Sequence, residues 1–177
     1  MSASPVLITE RLVLRPMRED DVPALMAVLS DPVQMAHYPA PFDRAGVERW
    51  VQRTHERYAR DGFALWTVEL KNGEVIGDCG PTMQTLGGEP VVEIGWHIVP
   101  AHQRRGYATE AARACLGWVF AHTDAERAVS FMTSTNLASR RVAEKIHARF
   151  IGPIEDRAGL PHVAFETTRA AYAHPSA

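Results

Sequence analysis

The chain has 177 residues, 46% of them hydrophobic and 23% charged, with a formal net charge of −2. That is enough for one globular domain over 1–177 with its core within about 7–170, and too little for a second. The two signs of charge are interspersed and no apolar run is long enough to span a bilayer, so neither nucleic acid nor a membrane is an expected partner.

Met1 to Val6 has no basic region followed by an apolar stretch and a cleavage site, so the protein is expected to stay in the cytoplasm. Cys79 and Cys115 stand far apart in sequence, which fits reduced thiols better than a disulfide framework. The eight histidines show no metal-ligand spacing. His55-Glu56 has Ala59 where a zinc-protease helix needs its second His, and no metal is expected.

In chain order, the alternation over Arg11 to Pro16 predicts a first strand. Glu19, Asp20 and Asp21 then open a helix to about Ser30, acids in the first turn suiting the helix dipole. Met35 to Phe42, with Pro39 and Pro41, reads as a loop. Asp43 caps a second helix, which ends at Asp61-Gly62. Phe63 to Glu69 and Val75 to Met83 form a hairpin about Asn72-Gly73, and Gly87-Gly88 turns the chain into a strand over Val91 to Val99.

From Tyr107, the positions Ala108, Ala111, Ala112, Cys115, Leu116 and Val119 fall on one helical face, with Glu110 and Arg113 outward. A strand over Arg127 to Thr133, a short helix over Leu137 to Ile146 and a closing strand pair, Arg149 to Ile154 and His162 to Thr168, complete the chain. The order gives a mixed α/β sheet in which the strands at 91–99 and 127–133 are joined by a helix-bridged parallel crossover.

The segment between that strand and its helix holds the chemistry. Pro100 stops ladder pairing, and the loop carries Gln103, Arg104 and Arg105 into Gly106, where a missing Cβ lets a ligand approach the backbone. The helix then starts with Tyr107, Ala108 and Thr109, whose unpaired amides and partial positive charge suit a pyrophosphate. In the strand, Val92, Ile94, Trp96 and Ile98 share one face, and Glu93, Gly95 and His97 the other.

Three motifs in register carry a resemblance. Thr9-Glu10-Arg11-Leu12-Val13-Leu14-Arg15, the Gln103-x-x-Gly106-x-Ala108-Thr109-Glu110-Ala111 loop-helix and Asn136-x-x-Ser139-x-x-Val142-x-Glu144-Lys145 stand in family order. The chain resembles the GNAT N-acetyltransferases, most closely their ribosomal-protein, Rim-type branch. The resemblance implies the GNAT fold: a mixed, mostly antiparallel sheet, splayed between the strands at 91–99 and 127–133 and flanked by about four helices. It also implies acetyl-CoA as co-substrate, with its pyrophosphate on the loop matching Arg104 to Thr109 and its pantetheine along Ile98 and Val99. Asn136 and Ser139 would bind the pantetheine, and an amide freed by a bulge, of Ile98 or Val99, would face the oxyanion.

Acetyl transfer to an amine needs a base, and Glu93 is the first candidate, through water, with His97 second. Ser139 is the candidate donor to the thiolate, because Ala143 stands seven residues after Asn136, where many members place a Tyr. His147 replaces the family's usual helix-ending Gly, so a shifted helix end is expected.

The acceptor would enter between Met35 to Phe42 and Glu155 to His162, with Tyr38, Phe42 and Trp50 as a candidate apolar wall and Glu155 and Asp156 as acids that attract a cationic amine. A protein N-terminus, an aminoglycoside, a polyamine and an amino acid all remain open as acceptors, as do monomer and homodimer. A catalytically silent acyl-CoA-binding module is the alternative to an active enzyme.

Overall fold

In a computed structural model of the chain, residues 5–155 and 161–174 are described. One eight-stranded sheet takes β1 (Leu7–Ile8), β2 (Leu12–Pro16), β3 (Trp66–Leu70), β4 (Val75–Leu86), β5 (Glu89–Ile98), β6 (Arg127–Thr133), β7 (Arg149–Glu155) and β8 (Pro161–Thr168) in the order β1-β2-β3-β4-β5-β6-β8-β7. Every neighbouring pair is antiparallel except β5 and β6, which are parallel. The helices are α1 (Val22–Leu29), α2 (Arg44–Asp61), α3 (Tyr107–His122), α4 (Leu137–Ile146) and α5 (Arg169–Ala173).

Local chemistry sets most boundaries where the sequence puts them. Asp43 accepts a hydrogen bond from the Gly46 amide at 2.7 Å to start α2, and Gly62, at φ 80°, ends it. Gly87 and Gly88 both have positive φ, 60° and 86°, giving a two-residue hairpin loop with Leu86 opposite Glu89.

Two expectations are corrected, and the described residues add an edge strand, β1, and a short helix, α5, to the expected elements. The first helix begins at Val22 rather than Glu19, because Asp21 accepts from the Arg18 amide and from Arg15, leaving 19–21 as a single 3-10 turn. Glu110 does not face solvent: it accepts from the Thr9 hydroxyl (2.6 Å), the Arg11 amide (2.9 Å) and the Arg11 guanidinium (2.6 Å).

The core lies on both sides of the sheet. Leu12, Leu14, Leu25, Leu29, Val68, Ile76 and Ile94 are fully buried, each contributing about 1.5–3 kcal/mol against exposure. On the α3 side, Trp66 meets Trp118 edge-on at 5.0 Å. Cys79 and Cys115, distant in sequence, are neighbouring buried thiols with sulfurs 3.7 Å apart, and burial raises the Cys79 pKa. Beneath α1, Arg15 makes a two-pronged pair with Asp21 (2.8 and 2.7 Å) and reaches Glu69 at 2.6 Å.

The sheet opens where the site is expected. β5 and β6 pair only at Val92↔Ala128 and Glu93↔Val129. Beyond that point Ser130 Oγ donates to the Ile94 carbonyl at 2.7 Å, and the strands diverge. His147 fills the wedge behind Ser130. Its backbone is extended (φ −99°, ψ 147°), so it ends α4 without the left-handed turn a Gly would supply, and its ring lies 2.9 Å from Ser130 Oγ and 3.2 Å from Thr167 Oγ1.

Candidate active site

The anion-binding end is built from the β5–α3 connection. Pro100–His102 form one 3-10 turn, Gln103 is extended, and Arg104 (φ 58°) and Gly106 (φ 84°) turn the chain into α3. The Gln103 amide bonds the Pro100 carbonyl and the Glu110 amide bonds the Gly106 carbonyl. Between them, the amides of 104–109 have no acceptor among the described residues. Concentrated N–H groups at a helix start, beside the exposed Arg104 and Arg105, form a cradle of the kind that can receive an anion such as a phosphate.

Arg11 holds this cradle in shape. Its guanidinium donates to the Arg105 carbonyl at 2.9 Å, pairs with Glu110 at 2.6 Å and lies over the Tyr107 ring at 4.6 Å. Gln103 faces the other way and donates to the Ile98 carbonyl at 2.8 Å, fixing the loop to the end of β5.

Along β5 the expected alternation holds to its end. The register with β4 runs unbroken from Gly77↔Ile98 to Leu86↔Glu89, so the bulge expected in this pair is absent. The irregularity sits one strand away, between Val68 and Glu69 of β3. There Gly77 is pressed so close to β5 that a Cβ would lie 1.9 Å from the His97 carbonyl oxygen. The Val99 amide donates to the Ile76 carbonyl at 2.9 Å and is not available to an oxyanion. Strand alternation then turns the backbone groups of Trp96 and Ile98 toward the open side of the splay, so Ile98 keeps that candidacy.

Glu93 and His97 project from the other face of β5, toward α2. Glu93 is half-buried, 3.5 Å from the Thr82 hydroxyl. Burial raises its carboxyl to about 7, against the opposing influence of Gln84, Arg57, His97 and Thr82. A carboxyl poised there exchanges protons at neutral pH.

His97 is part of a larger constellation. Its Nδ1 is 2.7 Å from Asp78 Oδ1 and its Nε2 2.7 Å from the Tyr38 hydroxyl. Asp78 is wholly buried and also accepts from Trp50 Nε1 at 3.1 Å. Trp50 meets the His97 ring edge-on at 5.6 Å, and Phe42 lies against Trp50 at 5.8 Å. Burial works against a charged imidazole, but the Tyr38 oxygen and the Asp78 carboxylate outweigh it and raise His97 to about 10. With both ring nitrogens engaged in hydrogen bonds, His97 would have to release a partner before it could take a proton from an incoming amine.

On the far side of the splay, Asn136 Oδ1 accepts from the Ser139 amide at 3.1 Å and so caps α4. The half-buried Ser139 hydroxyl makes no hydrogen bond among the described residues. The α1–α2 loop bridges the opening: Gln34 bonds Gln103, Tyr38 bonds His97, and His37 Nδ1 lies 2.9 Å from the Thr133 hydroxyl at the end of β6.

Residues 11–149 match the family described as acetyltransferase (GNAT) domain. The chain belongs to the GNAT acetyltransferase family. The uncharacterized protein YkkB of Bacillus subtilis (strain 168) is 36% identical over 148 residues, covering 82% of this chain and 86% of YkkB. The GNAT fold is shared with RimL, a ribosomal L7/L12 alpha-N-protein acetyltransferase solved with coenzyme A (TM-score 0.77, 20% identity, 93% of this chain and 98% of that one). It is shared equally with the aminoglycoside acetyltransferase AAC(6')-Ib, also solved with coenzyme A (TM-score 0.76, 22% identity, 93% and 98%). The Rim-type branch is therefore one of several GNAT neighbours.

For this GNAT chain, the structure brings Tyr38, Phe42 and Trp50 together with His97, and gathers Gln103 to Thr109 at the end of β5. Asp156 lies outside the described residues, as does the rest of 156–160. The sequence reading missed Asp78, Arg11 with Glu110, and the Ser130–His147 wedge. Asp78 could have been found by counting back from Gly87-Gly88, since a two-residue loop places it opposite His97. Among the described residues, no group of His, Cys, Asp and Glu is arranged to hold a metal, and no helix is long and apolar enough to cross a membrane.

Proposed function

We propose that the protein transfers the acetyl group of acetyl-CoA to a primary amine by direct attack in a ternary complex. The observation that carries this reading is a phosphate cradle at 104–109 joined, through a single strand, to a carboxyl poised near neutrality at Glu93. In this account Gln103, Arg104, Arg105, Gly106, Tyr107, Ala108 and Thr109 hold the CoA phosphates. The pantetheine runs along Ile98 and Val99 and meets Asn136 and Ser139. The Ile98 amide stabilises the oxyanion, a kind of donor whose removal costs about 2.7–4 kcal/mol in other enzymes. Glu93 takes the nitrogen's proton through water, and Ser139 donates a hydrogen bond to the sulfur.

Tyr38, Phe42 and Trp50 line the acceptor side. The protonation chemistry favours an α-amine, such as a peptide N-terminus. With a pKa near 8 such an amine is roughly 10% neutral at pH 7, whereas a lysine amine is neutral at about the 10⁻³ to 10⁻⁴ level. A base near 7 suits the first and is too weak for the second.

Thiol release from acetyl-CoA across a panel of peptides, amino acids, polyamines and aminoglycosides tests this. Saturable, amine-dependent turnover is expected, fastest with α-amines. Saturable acetyl-CoA binding with no amine-dependent release would instead mark a silent binding module.

A further inference from the structure

We propose that the acceptor is an amine that also carries a carboxylate, and that Arg57 binds that carboxylate beside Glu93. The inference rests on the transferase reading and deepens it by naming the substrate class of the same site.

α2 lays one face along β4 and β5. At one end of that face Trp50 Nε1 donates to Asp78 at 3.1 Å, and its ring meets His97 at 5.6 Å. Two helical turns on, about 10.5 Å along the axis, Arg57 stands with Arg53, Glu56, Arg60, Met83 and Gln84 around a cavity of about 270 Å³. Strand register shows what this cavity adjoins. His97 lies opposite Asp78 and Glu93 opposite Thr82, so the path along β4 from Asp78 to Gln84 runs past His97 and then past Glu93. Gln84 Nε2 donates to the Thr82 hydroxyl at 3.3 Å, and that hydroxyl is 3.5 Å from the Glu93 carboxyl. The cavity therefore opens beside the group assigned as the base.

Three arginines and one glutamate give the lining its charge, and three of those four have partners elsewhere. Arg60 pairs with Asp61 at 2.6 Å, Arg53 lies over the Trp50 ring at 5.9 Å, and Glu56 accepts from Gln52 at 3.2 Å. The half-buried Arg57 guanidinium makes no hydrogen bond, ion pair or ring contact among the described residues. Burial lowers its pKa and Arg60 and Arg53 add repulsion, while Glu93 and Asp61 oppose them only in part. Its donors are free, and a carboxylate matches such a guanidinium two hydrogen bonds at a time.

Size and sign narrow the acceptor further. Pockets that enclose a whole drug-sized ligand hold about 300–1,000 Å³, so this cavity takes one small group rather than a set of sugar rings. Its surplus of positive charge repels polyammonium acceptors. With the carboxylate on Arg57, the amine is held toward Glu93, which takes its proton. An α-amino acid and a peptide with an acidic first residue share this chemistry.

Steady-state kinetics of the full chain, followed by thiol release and expressed per unprotonated amine, tests this with two matched pairs of acceptors. One is an α-amino acid against its amide; the other is a short peptide beginning with Asp against the same peptide beginning with Asn. Wild type is expected to favour the charged member of at least one pair by about 10- to 100-fold in kcat/KM, chiefly through KM, the size of a charge-assisted hydrogen bond. The pair that shows the preference identifies the source of the carboxylate. In Arg57→Gln that ratio is expected to fall to near one, and in Arg57→Lys to survive in part. A ratio does not depend on how much of a variant folds. A wild-type ratio below about tenfold in both pairs would overturn the proposal. So would a ratio unchanged in Arg57→Gln, which would leave Arg57 as a neighbour that only tunes Glu93. Release of no thiol with any amine would overturn the transferase reading itself, whereas turnover indifferent to the carboxylate would overturn this inference alone.

Discussion

His147 should make the protein selectively acid-labile, and the size of the effect follows from its surroundings. The ring is 8% exposed, and its hydrogen bonds form a closed chain. The Ala148 amide donates to Thr167 Oγ1, which donates to His147 Nδ1; His147 Nε2–H donates to Ser130 Oγ, which donates to the Ile94 carbonyl. Every position is satisfied by a neutral ring, and a second ring proton would force the Thr167 oxygen to accept from Nδ1 and turn its own proton away from the ring. Burial accordingly lowers His147 from 6.5 to about 4, the Glu166 carboxylate opposing it only in part.

A depressed histidine pKa means that the unfolded chain takes up the proton first as pH falls. Stability from this group is fully present above 6.5 and is lost progressively down to about pH 4. At 1.36 kcal/mol per pKa unit, the loss is about 3 kcal/mol. Urea unfolding of wild type and His147→Gln at intervals from pH 7 to 4 measures it. The offset between the two proteins is expected to shrink by about 3 kcal/mol over that window, because Gln cannot titrate. A constant offset would show that His147 is not held neutral, and the wedge at the splay would need another explanation.

Glu93→Gln should remove the acid limb of kcat near pH 7 and lower kcat about 100-fold, with the amine KM little changed; a retained limb would exclude Glu93 as the base. Asp21→Ala, which leaves the buried Arg15 with Glu69 as its one remaining carboxylate among the described residues, should cost about 3–5 kcal/mol by chemical denaturation. Arg11→Ala should weaken acetyl-CoA binding by about tenfold in calorimetry while leaving kcat near wild type, since Arg11 shapes the cradle without reaching the reacting atoms.

Legibility in the sequence followed the range of the interaction. Asp43, Gly62 and the Gly87-Gly88 turn act over a few residues, and the structure shows each where local rules put it. Alternation along β5 was legible because it needs only a regular strand. What stayed hidden depends on register between distant segments: Asp78 beneath His97, Glu110 on Arg11, Cys79 beside Cys115, and Ser130 standing in for a strand at Ile94. His147 was visible as a departure from Gly. Only the packing of α4 against β6 and β8 shows that it trades a helix-ending turn for a buried hydrogen-bond chain.

The central claim, direct attack on acetyl-CoA within a ternary complex, is tested most directly by a single-turnover experiment with enzyme in excess over acetyl-CoA. Without amine, no thiol should be released and the protein mass should stay unchanged; adding an α-amine peptide should release thiol in step with the appearance of acetyl-peptide. A burst of thiol before amine is added, with the acetyl group left on the protein, would contradict the account.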